Sequence, residues 1–130
     1  MSRRNPLPAA RPLLLPAVLV VAALAGCAPQ SSDAEGRTTV EVTSTADECV
    51  LSATSVPSGT VVFDVTNSGE EVTEFYLLEE YGTTIVSELE NVGPGISREL
   101  VVSITAGTYV TSCKPGMTGD GIQGELTVTD

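Results

Sequence analysis

Apolar and polar residues alternate with a period of two through most of the chain beyond residue 37, and Val and Thr dominate these segments. In residues 60–66, for example, Val61, Phe63 and Val65 fall on one face of an extended backbone. Such alternation in β-branched and aromatic residues is typical of half-buried strands. The pattern predicts strands at residues 39–43, 60–66, 72–81, 84–89, 98–104, 108–113 and 124–129.

The breaks between these segments contain Gly, Pro, Asn and Ser, the residues that favour tight turns. They lie at residues 56–59, 67–69, 92–95 and 105–107. About seven short strands separated by turns predict an all-β fold, an antiparallel β-sandwich of Greek-key type. No segment shows helical periodicity, and there is no internal repeat or sign of a second domain.

The amino terminus has the features of an export signal. Residues 1–11 carry three arginines and no acid, and residues 13–24 are apolar apart from one proline. The apolar run is shorter than the ~20 residues that span a bilayer, so residues 1–26 are predicted to be a signal peptide. The sequence Leu-Ala-Gly-Cys at 24–27 resembles the bacterial lipobox, which implies a lipid on Cys27. The alternative is an ordinary signal peptide that ends near a cysteine.

Cleavage before Cys27 leaves a polar segment, residues 27–37, that is expected to be a flexible tether. Residues 38–130 then form the single domain, anchored by lipid to the outer face of a cell membrane. The mature chain has three basic residues against 17 acidic ones, and 3 − 17 gives a net charge of −14. Such a charge excludes binding to nucleic acid, because the phosphates would be repelled.

Cys113 ends a predicted strand, and Met117 follows four residues later in a loop rich in Gly and Pro. This is the spacing of the copper loop in blue-copper proteins. Those sites also need two imidazoles, and the chain contains no histidine. Type 1 copper electron transfer is therefore excluded by composition.

Three segments together resemble the cupredoxin-like domain of EfeO-type iron-uptake lipoproteins: CVLSATSVPSGTVVFDVTNSGEEVTEFYLLE, ENVGPGISREL and GTYVTSCKPGMTGDGIQGELTV. The resemblance covers about residues 38–130. It implies a β-sandwich that binds iron or copper beside an iron permease or an EfeO/EfeB-type partner. Full EfeO proteins add a helical peptidase-M75-like domain to which the resemblance does not extend, so the iron-binding role of that domain is not carried over.

The resemblance also implies a ligand set, with Cys49 and Cys113 as thiolates and Glu74 as a carboxylate. The Met117 thioether could complete a soft site suited to Cu(I). The competing interpretation is a disulfide between Cys49 and Cys113, which an oxidising compartment favours and which would stabilise the fold by about 4 kcal/mol. A weaker alternative is a hard-cation site for ferric iron or calcium, built from Glu70, Glu71, Glu74, Glu79, Glu80, Glu88, Glu90 and Asp120.

Two functions follow from these features. The first is a lipid-anchored, metal-binding accessory module in iron or copper uptake. The second is a metal-free, disulfide-linked sandwich that binds another envelope protein. An enzyme is not expected, because a chain without histidine has neither a Ser-His-Asp triad nor a Cys-His pair, and the two cysteines form no C-x-x-C motif.

Overall fold

A computed structural model describes residues 36–130 of the chain. These residues contain nine β-strands and one 3-10 turn. The predicted signal peptide, the lipidation at Cys27 and most of the tether lie outside these residues. The 3-10 turn is Pro115–Met117. The strands are β1 (Arg37–Ser44), β2 (Cys49–Leu51), β3 (Ser55–Pro57), β4 (Gly59–Asn67), β5 (Thr73–Glu79), β6 (Ile85–Val92), β7 (Ser97–Ile104), β8 (Gly107–Cys113) and β9 (Ile122–Thr129).

The seven predicted strands are all present, with ends that differ by a few residues, so the all-β sandwich is confirmed. The expected number of about seven is too low, because β2 and β3 were missed. Each has three residues, which is too short for a period of two to be visible. β3 also overlaps the Val-Pro-Ser-Gly segment at 56–59, where Pro and Gly indicate a turn.

The strands form two sheets. Sheet A has the order β2-β1-β4-β7, and sheet B has the order β3-β9-β8-β5-β6. Two neighbouring pairs, β1 with β4 and β3 with β9, run parallel, while the other pairs are antiparallel. The prediction of antiparallel strands is therefore wrong for these two pairs. Parallel neighbours need a long crossover, and residues 45–58 supply one between β1 and β4.

The core lies between the two sheets and consists of the inward-facing residues of both. Phe63 of β4 and Phe75 of β5 meet at its centre, with ring centroids 5.2 Å apart and planes tilted by 44°. This is within the range in which aromatic pairs attract each other beyond simple area burial. The other buried members are Val40, Val42, Val56, Val61, Val65, Leu77, Leu89, Val92, Leu100, Ile104, Cys113, Leu126 and Val128.

The two ends of the sandwich differ in what they carry. A disulfide between Cys49 and Cys113 lies at the end where β1 finishes and β5 begins, and this is called the disulfide end. The opposite end carries the start of β1 at Arg37 and the turn between β5 and β6. Among the residues that the structure describes, no helix is long and apolar enough to cross a membrane.

Candidate functional site

Cys49 and Cys113 are joined by a disulfide that links the two sheets. Cys49 begins β2 of sheet A and is half-buried, whereas Cys113 ends β8 of sheet B and is fully buried. Their Cα atoms are 5.6 Å apart, within the usual range for a disulfide. Of the two states that the sequence allows, the structure therefore contains the disulfide. In this state neither sulfur is a thiolate, and neither is available as a metal ligand.

Glu74 lies on the other face of sheet B from this disulfide. Phe75 pairs with Cys113, and both side chains enter the core. Successive residues of a strand point to opposite faces, so Glu74 projects outward. Its carboxylate accepts a hydrogen bond of 2.9 Å from the hydroxyl of Tyr76, which is on the same outer face. The structure thus separates Glu74 from the cysteine pair.

Tyr76 contacts Lys114 as well as this carboxylate. The ammonium group of Lys114 lies 4.3 Å from the centre of the Tyr76 ring, a cation–π contact. Tyr76 is only 8% exposed. Burial, the hydrogen bond to Glu74 and the negative charges of Glu74, Glu88 and Glu90 raise the pKa of Tyr76 to about 12. The phenol is therefore protonated at neutral pH and acts as a hydrogen-bond donor.

Met117 occupies an exposed turn at the disulfide end. Its side chain is 45% exposed, and its backbone has φ of 56°, a left-handed value that is uncommon for a residue other than glycine. Backbone hydrogen bonds from Gly116 to Val72 and from Met117 to Lys114 hold the turn at 2.8 and 3.0 Å. The four proposed ligands therefore lie in three places: the disulfide, the outer face of sheet B and this turn.

The residues present do not fit a blue-copper centre. The chain has no imidazole, and the Cys113 sulfur is bonded to Cys49. Within residues 36–130, no group of three or more His, Cys, Asp or Glu side chains is arranged to hold a metal ion.

An open cleft of about 600 Å³ lies beside the Pro115–Met117 turn. Its lining residues are Thr45, Ala46, Asp47, Ser68, Gly69, Glu70, Glu71 and Pro115. Only two of the eight acids considered for a hard-cation site, Glu70 and Glu71, line it. Glu79, the last residue of β5, and Glu80, which follows it, lie instead at the opposite end of the sandwich. The folded chain therefore does not gather the eight carboxylates in one place.

Asn67 holds the loops around this cleft, and the sequence did not single it out. It is 1% exposed, and its amide nitrogen donates to the carbonyls of Glu71 at 2.7 Å and Val92 at 2.8 Å. Its amide oxygen accepts from the backbone of Gly69 at 2.9 Å. In sequence, Asn67-Ser-Gly69 indicates only a turn, because the Val92 contact joins segments far apart in the chain. The one feature of the sequence that could have drawn attention to Asn67 is that a polar residue directly follows a run of buried residues.

The fold and this end of the molecule define a class of protein. A two-sheet β-sandwich whose Cys113 loop follows a late strand, with Met117 four residues further on, has the architecture of cupredoxins without the histidine ligands. The chain belongs to the family described as the cupredoxin-like domain, which matches residues 16–128.

Curated relatives of the chain include EfeO proteins, each named an iron uptake system component. The protein from Yersinia pestis is 31% identical over 90 residues, which are 69% of this chain and 23% of the relative. The protein from Escherichia coli K12 is 30% identical over 74 residues, 57% of this chain and 19% of the relative. The chain thus spans less than a quarter of the length of these relatives. The predicted resemblance to the cupredoxin-like part of EfeO is confirmed.

Solved structures with a similar fold include two auracyanins from photosynthetic bacteria. Auracyanin from Roseiflexus castenholzii has a TM-score of 0.57 and 20% identity, over 72% of this chain and 98% of that one. Auracyanin A from Chloroflexus aurantiacus, described as a blue copper protein, has a TM-score of 0.56 and 21% identity, over 72% of this chain and 100% of that one. At these identities the likeness shows the fold alone.

Proposed function

We propose that the chain is a non-enzymatic, extracytoplasmic accessory module of metal uptake that handles iron or copper ions as cargo. The observation that carries this proposal is its similarity to EfeO proteins across the cupredoxin-like domain. The disulfide supports an exported location, because disulfides persist in oxidising compartments. The chain is not proposed as a type 1 copper carrier, since it has no histidine.

Soft-metal binding by this domain depends on the redox state of the Cys49–Cys113 pair. A dithiol reductant that opens the disulfide delivers two electrons and two protons, and two thiols result. Together with the Met117 thioether, these thiols are the soft donors that Cu(I) prefers. Glu74 lies on the other face of sheet B, and its carboxylate accepts a hydrogen bond from Tyr76. Of the four proposed ligands, it is therefore the one least suited to bind a metal together with the two cysteines.

The experiment combines a thiol count with metal titration. Chain isolated without reductant is assayed for free thiols and then titrated with Cu(I), Cu(II) and Fe(III), before and after reduction. We expect no free thiols at Cys49 and Cys113 at first, and Cu(I) binding only after reduction. A Cys49→Ser/Cys113→Ser variant should lose that binding, while Glu74→Gln should retain most of it. If all three ions bind more weakly than about millimolar in both redox states, the metal-uptake proposal is wrong.

We further propose that a lipid on Cys27 anchors the module to the outer face of a cell membrane, next to an iron permease or an EfeO/EfeB-type partner. The support is the export signal and the Leu-Ala-Gly-Cys sequence at 24–27. A Cys27→Ala variant should move from the membrane fraction to the soluble fraction. If this variant stays fully membrane-bound, the lipid-anchor proposal fails.

The second candidate function is a metal-free interaction module of the cell envelope. The formed disulfide and the dispersal of the candidate ligands favour it. The same experiment distinguishes the two functions. A disulfide that resists reduction in the folded chain, together with no uptake of any of the three ions, would make the interaction module the better interpretation.

A further inference from the structure

Three large apolar side chains are exposed within six residues of one another around the turn between β5 and β6. Tyr81 is 85% exposed, Ile85 52% and Val86 38%. Residues 79–86 are called the β5–β6 tip. Single exposed apolar residues are normal on protein surfaces, whereas a local group of them marks interaction sites. Within residues 36–130, the other exposed large apolar residues lie apart from one another in sequence: Val50, Ile96, Val101 and Met117.

The tip is a closed turn rather than a loose loop. The backbone N–H of Gly82 donates to the carbonyl of Glu79 at 2.8 Å, and the N–H of Glu79 donates to Thr84 at 2.9 Å. Gly82 has φ of 68°, and a Cβ atom placed on it would lie 3.9 Å from both methyl groups of Val110 on β8. The turn therefore rests on sheet B. A surface ordered before binding loses less conformational entropy when a partner docks.

A cleft of about 290 Å³ opens beside Tyr81, between the tip and the start of β8. Tyr109 lies on its other side, half-buried, and its hydroxyl donates to the carbonyl of Thr105 at 2.9 Å. Two tyrosines thus flank one concave surface. Tyrosine is among the residue types that contribute most to binding at protein interfaces.

The charges next to Tyr81 indicate what can occupy this surface. Glu79 and Glu80 are exposed and line the same cleft. They would be repelled by the anionic lipids of a membrane and by the identical carboxylates of a second copy. They would attract a basic rim. We propose that the β5–β6 tip is a docking site for a partner protein that offers an apolar surface, surrounded by Lys or Arg, to the exposed side chains of Tyr81 and Ile85.

This site is independent of the disulfide end. Along β5, the pairing of Phe75 with Cys113 and the pairing of Glu79 with Tyr109 are four residues apart. At about 3.3 Å per residue, this separates the disulfide from the start of the tip by roughly 13 Å. A partner on the tip therefore leaves the Cys49–Cys113 pair uncovered, and failure of the metal-binding proposal would not affect this one.

The test is a titration of the isotopically labelled full chain, followed by amide chemical shifts. The probes are a synthetic amphipathic helix of Leu and Lys, the same helix with Glu in place of Lys, and vesicles of neutral and anionic phosphatidyl lipids. We expect the Lys helix to shift the amides of residues 79–86 and 107–109, and the Glu helix and vesicles to shift neither group.

A Tyr81→Ser/Ile85→Thr variant should weaken binding of the Lys helix about tenfold or more. A loss of this size is expected when a hot-spot side chain is removed. The matched control is Val50→Thr/Val101→Thr. It removes two exposed apolar residues of sheet A and should change the affinity less than about twofold. Unchanged circular dichroism would show that both variants fold.

Four results would overturn the proposal. The first is shifts centred on the acidic cleft at the disulfide end, and the second is an equal loss of affinity in both variants. The third is binding to vesicles, which would identify a lipid surface instead. The fourth is a concentration-dependent rise in sedimentation coefficient that Tyr81→Ser abolishes, which would identify a second copy.

Discussion

Gly119 and Gly121 have the same left-handed backbone but different surroundings. Gly119 has φ of 68° and nothing within 4 Å of the position that a Cβ would take. Gly121 has φ of 77°, and a Cβ there would lie 2.6 Å from the carbonyl oxygen of Cys113 and would also collide with the hydroxyl oxygen of Ser112. At the residue scale, the loop after Cys113 thus requires glycine at 121 for space as well as for conformation.

Gly121→Ala should accordingly destabilise the fold more than Gly119→Ala. The second variant adds only the strain of a left-handed alanine, about 1 kcal/mol. The first also displaces backbone next to the disulfide, and we expect a total loss of about 3 kcal/mol. Urea unfolding of both variants measures the difference. Equal losses would mean that the loop relaxes freely around the new methyl group.

The raised pKa of Tyr76 makes a prediction about alkaline pH. Its folded-state pKa of about 12 lies above the usual value of 10.0, so the folded chain holds this proton more tightly than the unfolded chain. The stability from this group is complete below pH 10 and is lost as the pH rises toward 12. We expect about 1 kcal/mol of it to be lost between pH 9 and pH 11.

Tyr76→Phe should remove this loss, and it should also remove the latest phase of tyrosinate absorbance near 295 nm in a pH titration. Unfolding free energies of the two proteins at pH 9 and pH 11 provide the comparison. If the wild-type chain and Tyr76→Phe lose the same stability over that interval, Tyr76 does not have a raised pKa.

At the scale of elements, strand register places three carboxylates in a row across sheet A. Glu41 of β1 pairs with Asp64 of β4, and Asp64 pairs with Glu99 of β7. All three alternate with inward-facing core residues, so they share the outer face. Like charges directly opposite each other on neighbouring strands are destabilising. The row therefore reduces the stability of a sheet that is otherwise regular.

Replacing the central member of the row should stabilise the domain. We expect Asp64→Asn to raise the free energy of unfolding by about 0.5 kcal/mol at low salt and by less at high salt, where the repulsion is screened. Asp47→Asn makes the same change of charge in a loop and serves as the control. A gain of the same size in both variants would point to overall charge instead of strand pairing.

The alternation of residues was sufficient to predict seven strands, because each is long enough to show a buried and a solvated face. It did not reveal β2 or β3, and it could not distinguish parallel from antiparallel neighbours. The pairing of β1 with β4 depends on how the chain crosses over, and residues 45–58 carry no pattern that shows this.

The candidate site was only partly predictable, because contacts between segments that are distant in the sequence leave no local pattern. The disulfide could be proposed from two cysteines and an export signal. Alternation placed Glu74 and Phe75 on opposite faces, but only the pairing of Phe75 with Cys113 shows which of those faces carries the disulfide. Asn67 and the Tyr76–Lys114 contact arise between segments distant in sequence, so no local pattern indicates them.

For the molecule as a whole, the disulfide is a covalent cross-link between the two sheets, in addition to the backbone connections. It joins residues separated by 64 positions, at the edge of sheet A and within sheet B. A cross-link of that span restricts the unfolded chain strongly, which is the main source of its stabilising effect in the chain-entropy model.

Reduction should therefore lower the free energy of unfolding by about 4 kcal/mol. Urea unfolding with and without a thiol reductant measures this, and the Cys49→Ser/Cys113→Ser variant should match the reduced protein. A loss below about 1 kcal/mol would show that packing alone holds the two sheets together.

The start of β1 has a mechanical consequence for a tethered protein. Arg37 lies at the same end of the sandwich as the β5–β6 tip and opposite the disulfide end. If Cys27 carries a lipid, as proposed, residues 27–37 can hold Arg37 no further than roughly 35 Å from the bilayer. The end that displays Tyr81 would then be the attached end of the domain, and the Cys49–Cys113 disulfide would lie at the end remote from the point of attachment.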